Sequence, residues 1–147
     1  MKSIIWICLA VVAGSVLPLQ GGLNSKLGKA AESPYLAALI SFSVGVISLL
    51  TYMIATKQTF SFSGLKEVPA LGWTGGMLGA CYVTIVILAF PKLGPGLTFG
   101  LIVAGQMFMS SILEHFNILV ANPQPINIYK ILGICLIIGG VVIMKKF

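Results

Sequence analysis

The chain contains no arginine and no aspartate, and its three acidic residues are the glutamates Glu32, Glu67 and Glu114. Without arginine there is no planar fork for gripping carboxylates or phosphates in pairs, which argues against a phosphorylated substrate. A single histidine, His115, and three cysteines at Cys8, Cys81 and Cys135 give neither metal-ligand spacing nor a CxxC pair. No nucleophile triad, phosphate loop or dinucleotide-binding glycine pattern is present, so the chain does not read as an enzyme and no metal or cofactor is expected.

What the chain has in abundance is apolar surface. Of its 147 residues 58% are hydrophobic and 8% are charged, more than a soluble domain of this size can hide. It reads as an all-α integral membrane protein. The 17 glycines suit that class, because small residues let membrane helices approach closely. The net charge of +6 comes from lysines expected at helix ends, touching lipid headgroups rather than nucleic acid. The opening stretch MKSIIWICLAVVAGS has the Lys and apolar run of a signal peptide, but the hydrophobicity continues past any cleavage site, so it is read as a retained first span.

Five spans follow from the apolar runs, at about 3–24, 34–56, 72–90, 97–119 and 128–144. In the first, Gly14, Pro18, Gly21 and Gly22 weaken the helix, and Gln20 and Asn24 share one face. That is either a broken helix building a binding site or a kinked one whose amides bond to neighbouring helices. Ser33-Pro34 is a start signal for the second span, with Ser as cap and Pro at the first helical position. Small residues then recur on one face at Ala37, Ser41 and Gly45, and in the third span at Gly72, Gly75, Gly76 and Gly79, as helix-packing ridges. Tyr82 lies at mid-depth beside the second ridge, and its hydroxyl needs either another helix or a substrate. The 57–71 connection alternates polar residues with Phe60, Phe62, Leu65 and Val68 and is expected to lie along the interface. Turns are expected at 91–96 and at 121–127.

The fourth span carries the polar groups. At about 100° per residue, with Gln106 as zero, Ser110 falls near 40°, Glu114 near 80° and Asn117 near 20°, one narrow stripe. His115 falls on the other side and reads as a packing residue. A carboxylate facing lipid costs about 2.5 kcal/mol or more at a helix centre, so the stripe should face protein or a water-filled cavity. Glu114 is then either a site where a proton and a substrate compete or an interfacial residue salt-bridged to a lysine. Gln106 contacts a substrate or an antiparallel copy, or else makes an interhelical amide bond.

An odd number of spans puts the termini on opposite sides. Counting lysines by side gives Lys2, Lys57, Lys66 and Lys130 against Lys26, Lys29, Lys92, Lys145 and Lys146, four against five. Lysine and arginine excess sets orientation, and so small a bias predicts insertion both ways up. Two opposed copies would then form the inverted repeat on which many secondary transporters are built. The alternative is that Lys145 and Lys146 mark a cytoplasmic end and fix one orientation.

The segments PLQGGLNSKLG at 18–28, SPYLAALISFSVG at 33–45, GGMLGACYV at 75–83 and AGQMFMSSILEHF at 104–116 resemble the YdcZ-like five-span family of the drug/metabolite transporter superfamily. The resemblance covers essentially the whole chain. It implies an inner-membrane protein in which two five-helix halves pair as an antiparallel dimer into a ten-helix bundle. Two positions depart from the family pattern: Glu114 stands where Asp usually precedes the His, and Asn117 where Gly usually follows the Phe.

Two functions emerge. One is a secondary transporter, an antiparallel homodimer whose cavity is lined by Gln20, Asn24, Tyr82, Gln106, Ser110 and Glu114. It would move a small metabolite or organic cation by alternating access, with proton coupling through Glu114. The other is a non-transporting scaffold or subunit whose polar groups serve helix packing and assembly.

Overall fold

The computed structural model describes residues 2–120 and 123–147. Among them are five α-helices: α1 (Lys2–Ala30), α2 (Pro34–Ala55), α3 (Gly75–Leu93), α4 (Pro95–His115) and α5 (Ile128–Lys146). Each lies in a segment long and apolar enough to cross a bilayer. Two 3₁₀ turns, Ser63–Glu67 and Ala70–Thr74, fill the 57–74 connection, where the rings of Phe60 and Phe62 stack at 6.5 Å. The chain divides into two compact units, one ending at Lys92 and one running from Leu93 to Phe147.

In the first unit α1 packs on α2 as a helical hairpin, and α3 covers its closed end. The core there is small and tight: Ala37, Ala38, Val83 and Ile87, with Leu27 and Tyr82 against it. Gly28 makes the fit possible, since a Cβ on it would stand 2.7 Å from Cγ2 of Ile87 and 3.6 Å from Cβ of Ala37. Ser33 starts α2 as the sequence indicates. Its side chain accepts from the Leu36 amide at 3.2 Å, and Pro34 occupies the first turn.

Of the two readings of the first span, the broken helix does not occur. Helix α1 runs through Pro18 to Ala30, 29 residues or ~43 Å at 1.5 Å per residue. An interior proline costs about 3 kcal/mol. Unwinding a helix within lipid would free several backbone groups at several kcal/mol each, so the unbroken helix is the cheaper state. The neighbouring glycines serve close approach: Gly21 is buried, and a Cβ on Gly22 would meet the Phe90 ring at 3.3 Å. Lys26 and Lys29, expected in a connector, therefore lie on the last turns of α1.

Two other boundaries move. Helix α3 begins at Gly75 and continues through Pro91 to Leu93, leaving Gly94 (φ 75°) as the whole turn before Pro95 opens α4. Helix α4 ends at His115, short of the expected 119. Asn117 adopts φ 54°, its amide donates to the Glu114 carbonyl at 3.4 Å, and the Ile118 amide donates to the Leu113 carbonyl at 2.8 Å. This is a Schellman cap. The same closure ends α1 with Glu32 (φ 51°) and α2 with Lys57 (φ 51°) in the left-handed position. Asn117 is thereby turned off the helix and out of the polar stripe. The expected turn at 121–127 falls partly on Ala121 and Asn122, which lie outside the described residues.

The second unit is the antiparallel hairpin of α4 and α5. Near its open end a Cβ on Gly100 would meet Met144 at 2.9 Å and Val141 at 3.0 Å. At the other end Asn127 caps α5, its side-chain oxygen accepting from the Lys130 amide at 2.9 Å.

Candidate functional site

Because α4 and α5 run antiparallel, the last turn of one lies beside the first turn of the other. The Glu114 carboxylate there pairs with the Lys130 ammonium, which also donates to the Gln124 carbonyl at 2.9 Å. Both side chains are partly buried, Lys130 at 21% exposure and Glu114 at 33%. Each charge stands at the unfavourable pole of its own helix. Glu114 is at the negative C-terminal end of α4 and Lys130 at the positive N-terminal end of α5, placements that cost about 0.3–1 kcal/mol apiece. Their mutual attraction offsets this, helped for Lys130 by the Gln124 carbonyl. The pair is therefore not explained by the needs of either helix alone.

The pair lines a cleft of about 330 Å³ between the two helices. Ser110, Ser111 and Gln124 add polar atoms, and Met107, Ile134 and Ile137 form apolar walls. Gly133 faces the same cleft, and a Cβ on it would touch nothing within 4 Å, so there is free room beside the ions. The Ser110 hydroxyl donates to the Met107 carbonyl at 3.3 Å. The polar stripe is thus divided: Ser110 and Glu114 enter the cleft, whereas Gln106 is exposed on the outer surface of α4. His115 is exposed. Its Nδ1 accepts from the Ile126 amide at 3.4 Å, and its ring meets Phe116 edge-on at 4.9 Å, tying down the returning chain.

In the first unit Asn24 is buried, with 8% exposure, and its side chain makes no hydrogen bond among the described residues. Gln20, one turn earlier, is exposed. The Tyr82 ring packs on the core while its buried hydroxyl has no partner among the described residues. A separate cleft of about 250 Å³ lies beside Ser25, Gly28 and Ile87, with Lys29 and Lys92 on its rim. Those two lysines therefore sit at one end of the unit. Of the small-residue ridges, Ala37 is wholly buried, and a Cβ on Gly79 would meet the Phe42 ring at 3.4 Å. A Cβ on Gly72 would meet only Val68, Ser41 is half-buried, and a Cβ on Gly45, Gly75 or Gly76 would meet nothing within 4 Å.

Nothing within their own segments marks Lys130 and Gln124 as site residues. The available signal was depth: across a short return, the last turn of one span faces the first turn of the next. Thr98, buried to 2% exposure with its hydroxyl unpartnered among the described residues, gave no signal, since a lone threonine near a helix start is ordinary. Among the described residues no three His, Cys, Asp or Glu side chains gather as a metal site would need.

Among the described residues, five bilayer-length helices with a charged cleft between two of them are the build of a multi-pass membrane protein. Residues 5–143 match the profile of the YdcZ family of the drug/metabolite transporter group, described as "Putative inner membrane exporter, YdcZ". The chain belongs to that family, one of inner-membrane exporters, and is a multi-pass inner-membrane protein. No curated protein and no solved structure matches it.

Proposed function

We propose that the chain is a secondary exporter of a small metabolite, working as an antiparallel homodimer that alternates between two equivalent inverted states. The observation that carries this reading is Gln106, exposed at the centre of α4 within an apolar span. An amide at that depth belongs against protein or a water-filled cavity. A second copy of the chain supplies such a surface, and the near-even lysine count allows that copy to be inverted. Two further facts support it. At most 17% of any span's apolar window is buried within the chain, so one copy leaves most of its helix surface free for others. Gln20 is exposed on α1 in the same way as Gln106. Glu114 is the only carboxylate inside a span, since Glu32 and Glu67 lie outside the α-helices.

The ion pair also favours a second reading, in which Glu114 and Lys130 clasp the α4–α5 hairpin and the chain serves as a scaffold. Topology separates the readings from the homodimer outward. C-terminal fusions to one reporter active only in the cytoplasm and one active only outside should give comparable signals. In a variant with Cys8, Cys81 and Cys135 replaced by alanine, Gln106→Cys should crosslink to its own copy. Signal from one reporter alone would remove the antiparallel homodimer.

A further inference from the structure

We infer that the cleft between α4 and α5 takes a zwitterion, a small molecule bearing an ammonium and a carboxylate a few bonds apart, with an apolar remainder. This rests on the proposed export function and assigns its substrate class. A ligand entering this cleft meets a preformed pair of opposite charges, Glu114 and Lys130, both partly withdrawn from water. A lone cation binding Glu114 displaces Lys130 and leaves its charge facing only the neutral Gln124 carbonyl. A lone anion binding Lys130 strands the carboxylate. Leaving one member of a withdrawn ion pair uncompensated is far costlier than replacing both partners together. A zwitterion replaces both, its ammonium going to Glu114 and its carboxylate to Lys130, so four charges alternate in sign and none is left alone.

The surroundings fit that ligand. Ser110 and Ser111 offer hydroxyl groups beside the ions, while Met107, Ile134 and Ile137 supply an apolar wall. The cleft's volume of about 330 Å³ is within the range of small-molecule sites, and the open space at Gly133 lies next to the charges. The placement of both ions at the wrong helix poles is also explained. Charges whose only ionic partner among the described residues is each other are readily exchanged for a ligand that compensates both.

The test uses the purified full chain in detergent and isothermal titration calorimetry. The probes are glycine, leucine, methionine and phenylalanine, each with its amide, which lacks the anion, and its N-acetyl derivative, which lacks the cation. At least one apolar amino acid should bind, and its amide and N-acetyl forms should bind at least tenfold more weakly, about 1.4 kcal/mol. The double variant Glu114→Gln/Lys130→Met strands no charge and should stay folded, yet lose this discrimination. The inference is overturned if no free amino acid binds, if a singly charged form binds as well as its parent, or if the double variant keeps the discrimination. Binding in detergent does not depend on orientation in the membrane. Its failure alongside comparable reporter signals would therefore sink the ligand class and leave the exporter reading standing.

Discussion

Substituting Gly28 by alanine tests the packing of the three-helix end of the chain. The added Cβ would stand 2.7 Å from Cγ2 of Ile87, whereas carbon atoms in good contact are about 3.5–4.0 Å apart, so roughly 1 Å must be found. The Ile87 methyl hangs directly from Cβ, and a β-branched residue in a helix is held to one χ1 rotamer, so the side chain cannot swing away. Ala37 Cβ at 3.6 Å and Pro34 Cα at 3.8 Å close the other side. The helices themselves must separate. Overpacking of this kind costs about 1–3 kcal/mol, and the severity of the overlap argues for the upper end. Helix propensity returns about 1 kcal/mol, leaving a net loss of roughly 2 kcal/mol. The control is Gly139→Ala on α5, where a Cβ meets nothing within 4 Å and the propensity gain of up to about 1 kcal/mol stands alone. Both are measured by unfolding in mixed micelles with SDS, followed by the fluorescence of Trp6 and Trp73. Pairing Gly28→Ala with Ile87→Ala should recover at least about 1 kcal/mol relative to the sum of the single losses. If Gly28→Ala proves as stable as the parent chain, α1 and α3 do not meet as described.

Two further predictions use the same unfolding assay. Glu32→Gly should stabilise by about 1–2 kcal/mol, because Glu32 holds a left-handed backbone at φ 51° and places a negative charge at the negative pole of α1; a loss of stability would show an unrecognised partner for its carboxylate. Tyr82→Phe removes a buried hydroxyl with no partner among the described residues and should leave stability unchanged or raise it by about 1 kcal/mol. A drop of that size would mean that the hydroxyl finds a partner in the assembled protein.

The number of helices, their order and the start of α2 were readable in the chain because their causes are local. Apolar runs of bilayer length, the Ser33-Pro34 cap and the punctuation at Gly94-Pro95 act over one or a few turns. The polar stripe of α4 was visible for the same reason, through Gln106, Ser110 and Glu114. Its lower end was not, because whether Asn117 extends a helix or closes it with a left-handed turn depends on which carbonyls the following amides reach.

Sequence alone thus determined a membrane protein of five spans with an acid at the end of the fourth, since lipid imposes length and polarity on each segment independently. Only the tertiary structure decided that α1 stays whole through Pro18, that Gly28 lets Ile87 in, and that Glu114 meets Lys130 across a cleft. Those outcomes depend on atoms far apart along the chain and brought together in space, where a single methyl group or a single charge is enough to change the result.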